Sequence, residues 1–384
     1  MRVVVDARPA VFPQKTGIGY YTWHLLRLLP RADPSTTYVA WYLNARELLG
    51  GPRRPLRELA APNLVERGTP IPASWFERLA ERFEVPRIEW FARSDVLFAP
   101  NFVPPPTDNP RLVATVHDLA FRRFPQTAPH GTRRWLARLD RTLERATRVI
   151  AVSRSTLGEL LDLSGVEAAR VVVIPLGVDR SVFRPLPEEK VREVRIRFGV
   201  DGPYLLFVGG IEPRKNLPDL VRAMTRVSQD VSLVIAGAGV EWNPEGTGLL
   251  REALEALPAA ARRRVVETGY VSERDKVALL SGAEALVYPS LYEGFGLPVL
   301  EAMACGTPVV TSNRSSLPEV AGPAAVLVDP TDPGAIAAAL DRVLSDTQLR
   351  AQLRTAGMER AAQFTWEETA RRTAEVLRDA ASEA

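Results

Sequence analysis

Tyr288-Pro289-Ser290-Leu291-Tyr292-Glu293-Gly294-Phe295-Gly296-Leu297-Pro298-Val299-Leu300-Glu301-Ala302-Met303-Ala304-Cys305-Gly306-Thr307-Pro308-Val309-Val310 reads as three pieces. Glu284 to Tyr288 is an apolar, strand-like run closed by Pro289. Leu291 to Leu297 is a loop with two glycines and two aromatics. Pro298 predicts a helix start, because its missing N–H is no loss there and its fixed φ suits the first turn. That start puts Glu301 in the first turn. Gly306 predicts the stop, with Pro308 beyond it, and Pro308 to Thr311 reads as the next strand. A strand, a loop and a helix N-terminus together make an anion site, since free N–H groups and the positive end of the dipole point outward.

Two carboxylates, Glu293 and Glu301, stand eight residues apart across this stretch. Carboxylates do not bind phosphate, so they are assigned to hydroxyl groups of a ligand that also carries phosphate. A nucleotide sugar meets both requirements. The backbone from Gly296 to Pro298 is then available to phosphate.

The rest of the chain sets the frame. At 384 residues it is too long for one typical core, so two domains are expected. No apolar run approaches the ~18 residues of a membrane span. Met1-Arg2 leads straight into the buried-strand pattern Val3-Val4-Val5-Asp6, so no signal peptide is expected. The single cysteine, Cys305, has no internal disulfide partner, which suits a reducing cytoplasm. A net charge of +3 does not call for nucleic acid, which usually leaves a concentrated basic patch. Only four of the 49 basic residues are lysines (Lys15, Lys190, Lys215 and Lys276), which makes each of them informative.

Strand and helix patterns alternate along both halves. In the first, Val3–Val5, Thr37–Leu43, Asp95–Ala99, Arg111–Val116, Arg148–Val152 and Val171–Pro175 read as strands. A helix over Tyr20–Leu29 is ended by Pro30, Gly50 to Pro72 shows little periodicity, and Phe121–Pro129 reads as loop. The second half restarts with strand Tyr204–Val208, turn Gly209-Gly210 and helix Leu217–Val227. Such alternation predicts an α/β chain with a doubly wound parallel sheet in each half, and ligands at the carboxyl ends of strands. His117, Gly209-Gly210, Gly237 and Glu293 all follow predicted strand ends. Gly237-Ala238-Gly239 lacks the third glycine of a dinucleotide fingerprint, with Trp242 in its place, which disfavours a dehydrogenase.

These motifs resemble a known family. Glu293 to Glu301 has the E-x7-E form, Glu212-Pro213-Arg214-Lys215-Asn216 follows a strand and glycine turn, and Val116-His117-Asp118 ends an N-terminal strand. With Thr16-Gly17-Ile18-Gly19-Tyr20 near the start and Phe364-Thr365-Trp366 near the end, the chain resembles retaining family 4 glycosyltransferases of the GT-B fold, the mannosyltransferase members most of all. The resemblance implies two Rossmann-like domains facing a central cleft. Residues 1–182 would bind the acceptor, closed by a C-terminal helix over 366–384, and residues 183–365 would bind the nucleotide sugar.

It also implies roles. Glu301 takes the ribose hydroxyls, and Glu293 takes the sugar hydroxyls and orients the anomeric carbon. Gly294, Phe295, Gly296 and Leu297 lend backbone to the donor. Lys215, with Arg214 and the Gly209-Gly210 turn, meets the diphosphate, and Tyr270 and Val271 meet the base. Gly17 and Gly19 bring backbone to the diphosphate or the acceptor, or form a tight strand–helix turn. His117 and Asp118 contact the acceptor or the transferred sugar. Catalysis would rest on His117, Glu293 and Lys215. Many relatives carry Arg where this chain has Gly210, and a small residue there resembles the mannosyltransferases, so GDP-mannose is the expected donor and a UDP-sugar the alternative. No Asp-x-Asp occurs, so neither metal nor cofactor is expected and the nucleotide sugar is a co-substrate. A sugar-nucleotide epimerase of the same fold, which would turn over donor without acceptor, is the other enzyme class.

The acceptor, a glycan or lipid-linked hydroxyl, is not readable from the irregular stretch after Gly50. Trp75, Phe76, Phe83, Trp90 and Phe91 cluster in sequence with Arg78, Arg82 and Arg87. They fit either core packing of an insertion or a patch resting on the inner face of a membrane.

Overall fold

The computed structural model describes residues 1–12, 15–45, 55–125, 132–239 and 244–383. Gln14, Trp242 and the first residues of the Pro- and Arg-rich stretch after Gly50 lie outside them. The chain divides into two units: Met1–Leu119 with His130–Gly177 and Thr365–Ala384, and Ala120–Pro129 with Val178–Phe364.

Unit 1 holds β1 (Arg2–Asp6), β2 (Thr37–Leu43), β3 (Leu64–Thr69), β4 (Val96–Ala99), β5 (Leu112–Val116), β6 (Arg148–Ala151) and β7 (Val171–Val173). They form one parallel sheet in the order β3-β2-β1-β4-β5-β6-β7. Val3, Val4, Val5, Val113 and Ile150 are fully buried, as strands covered by helices on both faces require. β3 is a strand that the sequence reading left irregular. Among the described residues it pairs only with β2, and an edge strand such as Leu64-Val65-Glu66-Arg67-Gly68-Thr69 needs no continuous apolar run.

The first helix also differs from expectation. It spans Gly17–Ala32 and contains Pro30 within its final turn. There Asp33 N bonds Leu29 O (2.9 Å) and Asn63 Nδ2 bonds Pro30 O (3.1 Å), tying down the helix end. Ala120–Arg123 is a short helix that overlaps the start of the stretch Phe121–Pro129 read as loop. The last helix, Trp366–Ser382, packs within unit 1: Thr369 Oγ1 donates to Pro175 O at 2.8 Å, and Trp366 stacks on His24, with ring centroids 4.5 Å apart.

The aromatic cluster splits. Phe76 is buried in the core beside Trp41, and Phe91 packs against that core. Trp75 (65% exposed), Phe83 (60%) and Trp90 (65%) face solvent. On the helix Ala73–Phe83, Trp75, Leu79 and Phe83 recur every four residues, so they share one exposed face.

Unit 2 holds β8 (Tyr204–Val208), β9 (Ser232–Ala236), β10 (Val265–Gly269), β11 (Ala285–Tyr288), β12 (Val309–Ser312) and β13 (Val326–Val328). All pairs are parallel, in the order β10-β9-β8-β11-β12-β13. The order reverses between β8 and β11. That reversal leaves a crevice at the carboxyl ends of these two strands, where ligands bind in such sheets.

Candidate active site

The segments leaving β8 and β11 carry most of the residues singled out above. After β8 comes the Gly209-Gly210 turn, then Glu212 and a 3-10 turn over Pro213–Lys215. Asn216 is left-handed (φ +56°) and starts the helix Leu217–Ala223. After β11 the loop runs to Gly296, whose φ of +107° lies where glycine is favoured, and the helix Leu297–Ala304 begins there. The two segments are tied to each other and to the turn that follows β12. Leu291 N bonds Arg214 O at 2.8 Å, Ser315 Oγ accepts from Glu293 N at 2.9 Å, and Ser316 Oγ donates to the carbonyls of Glu293 (2.9 Å) and Phe295 (2.8 Å).

Glu293 is the hub. Its Oε1 accepts from Lys215 Nζ, and its Oε2 accepts from Arg214 Nη1 at 3.0 Å. Arg214 also grips Glu212 through Nε (2.9 Å) and Nη2 (3.2 Å), a two-point fork that fixes the guanidinium plane. Arg214 does not face solvent, and Lys215 is buried. Burial on its own would raise the Glu293 carboxyl, but Lys215 and Arg214 outweigh it and hold the pKa at about 2. Burial and the neighbouring Arg214 push Lys215 below its ordinary value, with Glu293 and Glu212 pulling the other way. Lys215 donates a second N–H to Tyr288 Oη at 2.6 Å. An ammonium has three N–H groups, and the third has no acceptor among the described residues. The sequence reading missed Tyr288, which looked like the last residue of a strand and nothing more.

Glu301 is the fifth residue of its helix, in the second turn and not the first. The helix begins at Leu297, one residue before Pro298. A macrodipole role for Glu301 therefore loses its geometry. Its Oε1 instead accepts from Lys276 Nζ at 2.8 Å, and Lys276 lies over the Phe183 ring at 4.8 Å. Tyr270 follows β10 and is 63% exposed, with Val271 half-buried beside it. Gly294, Phe295 and Gly296 are buried, and Leu297 is half-buried.

His117, Asp118, Gly17 and Gly19 belong to unit 1. His117 follows β5, and its Nε2 lies 2.8 Å from Pro100 O. A carbonyl only accepts, so Nε2 carries the proton and Nδ1 keeps its lone pair. Burial lowers the His117 pKa, partly opposed by Pro100 and Asp118, so the ring is neutral at pH 7. Tyr21 and Phe102 pack edge-on to it, at 4.9 and 5.5 Å between centroids. Gly17 opens the first helix, capped by Thr16, and a Cβ on Gly19 would lie 2.9 Å from Pro9 O. A charged group that the sequence reading missed sits after β1. Arg8 binds Asp6 (2.8 Å through both Nε and Nη2) and Glu77 (2.6 Å). Among the described residues, no cluster of His, Cys, Asp and Glu side chains is placed to hold a metal ion.

Comparison with known proteins identifies the family. The family model "Glycosyltransferase Family 4" matches residues 15–182, and "Glycosyl transferases group 1" matches residues 191–360. O-antigen chain mannosyltransferase B of Escherichia coli is 33% identical over 297 residues, covering 75% of this chain and 76% of that protein. The serotype-specific mannosyltransferase WbdA of Escherichia coli is 29% identical over 232 residues, covering 59% of this chain and only 28% of that longer protein. Among solved structures, Anabaena HepE in complex with UDP and glucose superposes with a TM-score of 0.74 over 99% of this chain and 100% of that one, at 17% identity. That likeness gives the fold, GT-B. The chain thus belongs to the family 4 glycosyltransferases.

Proposed function

We propose that this glycosyltransferase is a retaining, metal-independent hexosyltransferase. It moves mannose from GDP-mannose to a hydroxyl of a glycan or lipid-linked acceptor. The observation that carries the reading is the Lys215 ammonium at the β8–β11 reversal, with one N–H still available for an oxyanion. Cleavage of the sugar–phosphate bond puts negative charge on the leaving nucleoside diphosphate. A cation about 4 Å away stabilises it by on the order of 4 kcal/mol at an effective dielectric near 20. That is roughly three decades in rate if the contact is felt in the transition state. Lys215 and Arg214 supply positive charge there, and the metal-independent reading rests on them.

The same geometry bears on retention. Both oxygens of Glu293 accept hydrogen bonds from cations, and its pKa is held at about 2. A carboxylate so engaged is a weak nucleophile. It suits holding sugar hydroxyls better than forming a glycosyl ester. We therefore assign front-face attack, with the leaving phosphate taking the acceptor proton, and a trapped covalent glycosyl-enzyme would sink that assignment. Glu301, steadied by Lys276, takes the ribose. His117, neutral, is assigned to the acceptor or transferred sugar, with Asp118 next to it.

Mannose is favoured by the mannosyltransferase relatives and by the small Gly210. A UDP-sugar is the second reading, favoured by the UDP and glucose bound to HepE. No helix among the described residues is long and apolar enough to cross a membrane. We assign a peripheral contact with the inner membrane face to the exposed Trp75, Leu79 and Phe83, where lipid-linked acceptors would be met. The deciding experiment is a thermal-shift screen with GDP, UDP, ADP and dTDP. GDP is expected to raise the melting temperature most. If none of the four shifts it, the donor-site assignment fails.

A further inference from the structure

Tyr288 is fully buried at the end of β11, with its ring stacked on Phe207 of β8 at 5.7 Å between centroids and 19° between planes. The Lys215 ammonium lies 5.0 Å from the centre of that ring and donates to its oxygen. The same ammonium also donates to Glu293 Oε1. One ammonium thus donates to both the phenol and the carboxylate.

We propose that Tyr288 is a positioning residue for the donor's diphosphate, one that holds the Lys215 ammonium aimed with its third N–H presented to a phosphate oxygen. The inference rests on the donor-site reading above. The choice of side chain has a physical reason. A second carboxylate at this point would neutralise Lys215 and repel the diphosphate. A phenol satisfies one N–H and adds no charge, and it stays protonated because burial and then Glu293 push its pKa well above the ordinary value. The charged groups around Lys215 are Arg214 and Glu212 from the segment after β8 and Glu293 from the loop after β11. Burial and Arg214 work against the ammonium, so each acceptor that favours the charged form counts.

The experiment reads this directly, without the acceptor. GDP and UDP are titrated calorimetrically from neutral to alkaline pH into the wild-type protein, Tyr288→Phe, Lys215→Met and the double variant. Tyr288→Phe keeps the ring and its stacking, and its melting temperature reports on folding. In the wild type, affinity falls on the alkaline side as Lys215 loses its proton. In Tyr288→Phe that fall begins about one pH unit lower, a tenfold loss of affinity at a fixed alkaline pH. Lys215→Met has no such limb, and adding Tyr288→Phe to it changes nothing further. An unmoved limb in Tyr288→Phe, or an equal loss of affinity in both backgrounds, overturns the proposal while leaving the donor site standing. Absence of binding by both nucleotides in the wild type overturns the donor-site reading and this proposal with it.

Discussion

The two units repeat one topology and diverge where it matters. Each sheet reverses its strand order, between β1 and β4 in unit 1 and between β8 and β11 in unit 2. After β1, Arg8 is held by two carboxylates, Asp6 and Glu77, and Arg138 also pairs with Glu77 at 3.6 Å. After β8 and β11, two cations, Arg214 and Lys215, meet two carboxylates, Glu212 and Glu293. The first group pairs two guanidinium groups with two carboxylates. The second is balanced as well, and what sets it apart is a buried ammonium with one N–H that has no acceptor among the described residues. Sheets of the same strand order, with seven strands in unit 1 and six in unit 2, thus carry different charged groups where the order reverses, because the few residues that leave the strands differ.

The largest effect should come from removing the cation that separates these ends. Lys215→Met should cost roughly three decades in turnover and abolish the thermal shift by nucleoside diphosphate. Unit 1 should be untouched, so the variant still folds. Its melting temperature falls, since losing one partner of a buried pair costs about 3–5 kcal/mol. If Lys215→Met retains the nucleotide shift and the rate, the contrast between the two ends is not about phosphate.

His117 tests the other side of the comparison. His117→Gln should lower transfer by about two decades, within the usual range for a positioned polar catalytic group. Nucleoside diphosphate affinity, measured by calorimetry, should stay at the wild-type value. A parallel loss of nucleotide affinity would mean that the division of labour between the units is wrong.

Glu293→Gln should move two observables in opposite directions. It removes the carboxylate that competes with phosphate for Lys215 and Arg214, so nucleoside diphosphate binds about tenfold tighter. Turnover falls because the sugar hydroxyls lose their acceptor. The same change has a pH signature. The folded pKa of Glu293 is depressed from 4.5 to about 2. The stability it contributes is therefore present above about 4.5 and lost as pH falls towards 2. In Glu293→Gln the melting temperature should vary less across that acid window. Weaker nucleotide binding in this variant would show that the carboxylate assists the phosphate and does not compete with it.

How much of this was legible without coordinates follows from what each residue depends on. Glu293, Lys215 and the two flanking strands are local: a short apolar run, a glycine loop and a scarce lysine mark them in sequence. The parallel sheets were legible for the same reason, since buried strands are continuous apolar runs. The strand β3 was not, because an edge strand with Glu66, Arg67 and Gly68 carries no such signal. Tyr288 escaped because its importance lies in a partner 73 residues away in sequence. Arg8 escaped likewise, since Glu77 is 69 residues distant. Glu301 was placed in the right helix and the wrong turn, because Pro298 fits the second helical position as readily as the first and local chemistry does not separate them.

That one-residue shift leads to a last prediction. In the first turn, Glu301 would be steadied by the helix dipole and would need no partner. In the second turn the dipole has faded, and the observed partner is Lys276, held 2.8 Å away and partly shielded by Phe183. Lys276→Met should therefore release the Glu301 side chain and weaken nucleoside diphosphate binding by about tenfold, through lost orientation of the ribose acceptor. Discrimination between GDP and its 2′-deoxy analogue should shrink with it. Lys276 is a cation in the same unit as Lys215, so the variant also checks whether any positive charge will do. Were Lys276→Met as damaging as Lys215→Met and indifferent to the 2′-hydroxyl, the site would be a diffuse basic surface. If the loss is modest and confined to the ribose, charge and position have been separated: Lys215 acts on the phosphate, and Lys276 acts through the carboxylate it holds.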